Sequence, residues 1–133
     1  VGYRAGIHMK EYQDKKPLLV VGGTAQDFLG EYMAGGTLIL LGLNLKEGEK
    51  HKAHFVGTGM HGGVIYLSGG IDDYQLGSEV GVDKLNEADY TVLKDAVKDY
   101  SAKFGVETAK VLSRDFIKLY PRYLRPYGRL YAY

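Results

Sequence analysis

The sequence predicts a mainly β chain, a single-stranded parallel β-solenoid closed by a C-terminal pair of α-helices and an extended tail. Three observations carry this expectation. A short signature recurs as Gly6-Ile7-His8-Met9, Gly30-Glu31-Tyr32-Met33 and Gly57-Thr58-Gly59-Met60. Each copy leads to an apolar run that ends on glycine: Leu18 to Gly22, Leu38 to Gly42 and Val64 to Gly69. The second and third copies also match residue by residue at an offset of 27, placing Phe28 on Phe55, Gly30 on Gly57, Met33 on Met60, Gly35-Gly36 on Gly62-Gly63 and Gly42 on Gly69. A repeat of this kind means that one supersecondary unit stacks on copies of itself.

Taken in order, the coils occupy residues 1–71 as three repeats, the first incomplete. The apolar runs are four to six residues long, leucine-rich or β-branched and bounded by glycine, as buried parallel strands are. The first two runs start 20 residues apart, at Leu18 and Leu38. That is about one circuit of a solenoid and too short for a strand-helix-strand unit. The polar stretch Asn44 to Ala53 reads as a loop bulging from one coil, and Lys10 to Pro17 as an insertion in the first. The paired glycines Gly35-Gly36 and Gly62-Gly63 are assigned to coil corners, where a Cβ would collide with the neighbouring coil. Phe28 with Phe55, and Met33 with Met60, are expected to stack as interior ladders.

Glycine falls away after the coils, with 15 of the 19 in the first 70 residues, so helix becomes possible only beyond them. Residues 72–133 are read as a helical cap with an aromatic and basic tail, part of the same domain. Ala88, Leu93, Ala96, Val97, Tyr100 and Phe104 share one face at helical spacing over 87–104, with Asn86 as N-cap, Asp89 three residues on, and Gly105 as the C′ residue. A second helix is expected from about Val106 to Arg114 or a little beyond, burying Ala109, Leu112 and Phe116. Both helices, over 87–117, are expected to cover the C-terminal end of the coils. From Asp115 to Tyr133 the chain alternates bases with aromatics, and Pro121 and Pro126 end regular structure. Tyrosines packing on a partner surface explain this tail better than single-stranded nucleic acid, because overall charge is balanced, with 17 Lys+Arg against 16 Asp+Glu.

The same balance gives no reason to expect nucleic-acid or anionic-membrane partners, and no apolar run is long enough to span a bilayer. The chain has no cysteine, which fits a reducing, cytoplasmic setting and excludes disulfides and thiolate metal sites. Gly57 to Gly62 spells the dinucleotide fingerprint, but that motif works only where a helix opens from it. Here Gly62 leads into a strand-like run and no acidic residue follows at the required distance, so the glycines are read as repeat architecture. His51 and His54 share the polar insertion with Glu47 and Glu49 and are read as a solvated loop rather than a metal site. His8 and His61 flank repeat methionines without converging. Ser68, Ser78, Ser101 and Ser113 lack an accompanying base, and Asp72-Asp73 look like turn residues after the third strand. No catalytic, cofactor or metal residue is assigned. The residues singled out are structural: Gly30, Met33, Gly35, Gly36, Gly42, Gly57, Met60, Gly62, Gly63 and Gly69.

The segment Gly22 to Gly42 and the segment Gly57 to Tyr66 strongly resemble the C-terminal "GXGXG" domain of the large subunit of glutamate synthase. The stretch Asn86 to Lys94, the short helix ending Ala109 to Leu112, and Phe116 to Pro121 follow that family's ending. The third subunit of formylmethanofuran dehydrogenase contains a related domain. The resemblance implies a right-handed parallel β-helix without catalytic residues. It also implies that FMN and an iron–sulfur cluster lie in partner domains, and that this domain packs against the amidotransferase and synthase domains and holds them in relation. The terminal stretch Arg122 to Tyr133 departs from the family pattern. Two other functions remain in view: a subunit of a formylmethanofuran dehydrogenase-like complex, and a nucleotide-dependent enzyme using Gly57 to Gly62. The open first coil is expected to be covered by further coils, another domain or a second copy of the chain.

Overall fold

The computed structural model of the chain describes residues 2–6, 9, 17–46 and 48–122. Its elements are β1 (Leu18–Val21), β2 (Ala34–Leu40), β3 (Gly62–Ser68), β4 (Val80–Lys84), α1 (Glu87–Phe104), α2 (Thr108–Leu112) and β5 (Phe116–Pro121). The chain is mainly β. The five strands form one mixed sheet in the order β1-β2-β3-β5-β4, with the helices beside it. The strands β1, β2 and β3 run parallel, whereas β5 lies antiparallel to β3 and to β4.

Both faces of the parallel strands are apolar because both are covered. Leu38, Leu40, Ile65 and Leu67 point to an inner core shared with Leu29, Met33, Val56, Met60 and Val80. The alternate residues Ile39, Leu41 and Tyr66 point outward and meet Leu93, Ala96 and Val97 of α1 and Val111 of α2. Register follows from that alternation. β2 and β3 pair at the repeat offset, Leu38 with Ile65, but β1 pairs Leu19 with Leu38 and Leu18 with Thr37. The run starts at Leu18 and Leu38 are thus one residue out of register. A one-residue slip exchanges the two faces. Leu18 is accordingly 51% exposed while Leu38 is 1% exposed.

The structure changes three expectations. First, the stacking continues past residue 71. Val56 forms a parallel bridge with Leu76, and the turn Gly77 to Val80 repeats the hydrogen bond of Gly57 to Met60, 3.1 Å against 3.0 Å. Valine replaces the repeat methionine there, which hides this rung from a search for the signature. Second, the helices do not cover the C-terminal end of the coils. The free edge of β3 needs hydrogen-bonding groups in ladder order, which β5 supplies and a helix cannot. The apolar stripe of α1 needs a flat apolar surface and finds it on Ile39, Leu41 and Tyr66. Third, the second helix stops at Leu112, and Phe116 opens β5 instead of extending the helix. Val111 is buried there while Ala109 is exposed. The expected tail thus contains a strand through Pro121, and the stretch 123–133 lies outside the described residues.

Helix α1 matches its signals closely. Asn86 Oδ1 accepts from Asp89 N at 2.8 Å, and Asp89 Oδ2 accepts from Asn86 N at 2.9 Å. Gly105 takes the left-handed conformation (φ 71°) that ends the helix. Phe104, placed on the buried face by spacing, is 66% exposed and stacks on Tyr100.

Candidate functional site

The repeat residues recur at matching places in the turns before, within and after β2 and β3. Met33 and Met60 are buried at 0% and 3% exposure. Gly30 and Gly57 sit in the turns that precede them, Gly35-Gly36 and Gly62-Gly63 lie within β2 and β3, and Gly42 and Gly69 follow those strands. At Gly62 any Cβ would collide with the carbonyl oxygen of Ala34 on the adjacent strand, so the ladder can close only on glycine there. Gly62 is also the first residue of β3, so a strand stands where the dinucleotide fingerprint requires a helix.

The phenylalanine pair stacks, but on the outside. The rings of Phe28 and Phe55 lie 5.0 Å apart at 10°, the Arg4 guanidinium stands 4.4 Å over Phe28, and Phe55 is 54% exposed. The cause is backbone geometry: Phe28 and Phe55 both have positive φ, 65° and 57°, which turns their side chains away from the interior. The interior position goes to the neighbours Leu29 and Val56, which are 1% and 0% exposed.

The histidines separate. His54 and His61 are exposed, and His8 and Glu47 lie outside the described residues. His51 is not solvated with its loop but buried at 2% exposure. A Cβ at Gly69 would stand 3.0 Å from its Nε2, so this glycine makes room for the ring, while one at Gly42 would meet the Ser68 carbonyl oxygen at 2.6 Å. Nε2 donates to the Ser68 carbonyl at 2.7 Å, while the buried Nδ1 has no hydrogen-bond partner among the described residues. Burial holds the imidazole below its usual range, a shift only partly offset by the Ser68 carbonyl. Beside it, the buried Gln75 amide donates to the carbonyls of His51 and Ala53 at 2.7 and 2.8 Å. Asp72 and Asp73, expected as turn residues, lead into a short 3-10 turn over Asp73–Gln75, and Asp72 pairs with Lys50 at 2.8 Å. Among the described residues, no three His, Asp or Glu side chains gather as a metal site.

Two clefts with charged side chains in their lining adjoin β3. The larger, about 660 Å³, runs between the insertion and the turn before β5, with Lys46, Lys50, Ser68, Ser113 and Arg114 in its lining. Two of its cations are already engaged, Lys50 by Asp72 and Arg114 by the Gly42 carbonyl at 3.1 Å. The smaller cleft, about 480 Å³, is lined by Val64, Tyr66, Asp83, Asp89, Lys118 and Tyr120. Beneath it Asp89 accepts from the Tyr66 hydroxyl at 2.7 Å and from Lys118 Nζ at 2.8 Å. Burial pushes the Asp89 carboxyl up, but the Lys118 ammonium, the Asn86 N–H and the Tyr66 hydroxyl outweigh it and hold the group ionised below its usual range. Burial, then the Asp89 carboxylate, pushes the Tyr66 hydroxyl well above its usual range. The cluster fastens α1 and β5 to β3. The sequence reading used Asp89 only as a cap partner. Its place on the buried face, four residues before Leu93, was the available signal.

A family model described as "GXGXG motif" matches residues 1–127. An uncharacterized protein of Methanocaldococcus jannaschii is 44% identical over 137 aligned residues, which cover 99% of this chain and 52% of that protein. The chain therefore spans about half the length of the curated relative it matches.

Proposed function

This chain belongs to the GXGXG motif family, the glutamate synthase-type domain, and on that premise we propose that it is a non-catalytic scaffold of a glutamate synthase. It packs against the amidotransferase domain and the FMN- and iron–sulfur-bearing synthase domain and holds them in a fixed relation during glutamate biosynthesis. The observation that carries this reading is the family match over nearly the whole described chain. In the same proposal the stacked turns are coils of a right-handed parallel β-helix. The parallel ladders β1-β2-β3 and the further bridge from Val56 to Leu76 support that winding. With no cysteine, this stretch of chain contributes no thiolate to an iron–sulfur cluster, so both cofactors are proposed to reside in the partner domains.

Reconstitution tests the proposal. The chain is mixed with the amidotransferase and synthase polypeptides of its source organism, and glutamine-dependent glutamate formation is measured with and without it. Stable co-elution, coupled turnover that depends on the chain, and no turnover by the chain alone are expected. Coupled turnover that proceeds equally well in its absence would sink the scaffold reading.

A further inference from the structure

One corner of the stacked turns holds large side chains in a backbone conformation that disfavours them. Arg4, Phe28 and Phe55 have φ of 57°, 65° and 57°, values that bulky L-residues adopt only against a steric penalty. The turns are joined directly, Arg4 N to Asp27 O and Phe28 N to His54 O, both at 2.9 Å. Their side chains form one outward column, with the Arg4 guanidinium on Phe28 and Phe28 on Phe55.

The column stops abruptly. Val56 bridges Leu76, so residue 75 occupies the next place in the ladder. Gln75 is turned inward, 3% exposed, and committed to the carbonyls of His51 and Ala53. Phe55 therefore has Phe28 on one face and remains 54% exposed. Tyr74, next to Gln75, is 76% exposed, with its ring tilted against His54 at 5.9 Å. Exposed aromatic side chains held on a rigid ladder are the usual anchors of protein interfaces.

The occupied end of the column indicates what fits the open end. There a guanidinium lies on a phenylalanine face while pairing with a carboxylate, Glu31. At the open end stands the ring of Phe55, and the turn that carries Tyr74 also carries the exposed residue Asp73. A planar, weakly hydrated guanidinium stacks on an aromatic face better than a compact ammonium does. We propose that the Phe55–Tyr74 corner is a docking shelf for an arginine side chain on the surface of a partner protein, stacked on the open face of Phe55 as Arg4 is on Phe28. This inference rests on the corner alone and does not depend on the glutamate synthase reading.

The probe is N-acetyl-arginine amide, titrated into the isotopically labelled chain and followed by NMR, with N-acetyl-lysine amide as control. Saturable shifts confined to residues 54–56 and 73–75 are expected, with the arginine probe binding several-fold more tightly than the lysine probe. Phe55→Gly keeps the fold, because glycine accepts its positive φ, and loses the response. Phe55→Tyr retains it. Equal shifts with lysine, shifts elsewhere on the surface, or a response that survives in the folded Phe55→Gly variant would overturn the proposal. So would binding that requires the free α-amino and carboxylate groups of arginine, since that marks an amino-acid site rather than a docking surface.

Discussion

Lys118 Nζ lies 2.8 Å from Asp89 Oδ2, joining the last described strand to the first turn of α1. Both side chains are largely buried, at 20% and 12% exposure, and the Tyr66 hydroxyl completes the cluster from β3. Removing Asp89 leaves a buried ammonium and a buried hydroxyl without their acceptor. Asp89→Ala is expected to cost about 3 kcal/mol and Tyr66→Phe about 1 kcal/mol, read from urea midpoints at constant slope. Because the three side chains form one network, double variants should fall short of additivity by more than about 0.5 kcal/mol. Additive losses would show that the contacts act independently.

The same carboxylate shapes the acid limb. Its folded pKa is held below the ordinary carboxyl value of 3.8, so its stabilisation is present above that value and is lost as pH falls through the folded one. Loss of stability below about pH 4 should therefore be shallower in Asp89→Asn than in the unaltered chain. Chemical denaturation at stepped pH reads this directly.

His51 acts at milder pH. Burial lowers its folded pKa, so the neutral ring is favoured in the fold, whereas the unfolded chain takes up a proton below the usual value of 6.5. Stability should decline as pH falls from about 7 toward the folded pKa and then level. His51→Gln should flatten that segment of the curve. An unchanged slope in the variant would assign the proton uptake to another group.

Close approach between β2 and β3 at Gly62 is testable by a single methyl group. Gly62→Ala drives a Cβ into the Ala34 carbonyl of the neighbouring strand, where backbone and not a flexible side chain must yield. It is expected to lose several kcal/mol or to fail to fold. Gly48→Ala meets nothing within 4 Å and carries only the penalty of its φ of 82°, about 1 kcal/mol. Thermal unfolding of the pair separates collision from conformational strain.

Register makes the last prediction. Leu18, paired with Thr37, is half exposed at the edge strand, so Leu18→Lys should change stability by less than about 0.5 kcal/mol. Leu38→Ala removes a side chain packed between Leu19 and Ile65 and should cost about 3 kcal/mol. Comparable losses at the two positions would mean that β1 pairs one residue away from its place here.

Much of the molecule could be read before any coordinates. The repeat offset of 27 set the pairing of β2 with β3, because identical residues at identical positions pack best in register. Asn86, Asp89 and Gly105 marked α1 because capping is local chemistry. What stayed hidden depended on partners distant in sequence. Whether a phenylalanine turns in or out was decided by a positive φ shared by adjacent turns. Whether His51 is wet or dry depended in part on the space left at Gly69. The pairing of β5 with β3, and the gathering of Tyr66, Asp89 and Lys118, join residues 23 to 54 positions apart in sequence. Local propensity and periodicity are written along the chain. The faces that meet, and the edges that must be closed, are chosen only when the whole chain competes for the same buried surface and the same backbone hydrogen bonds.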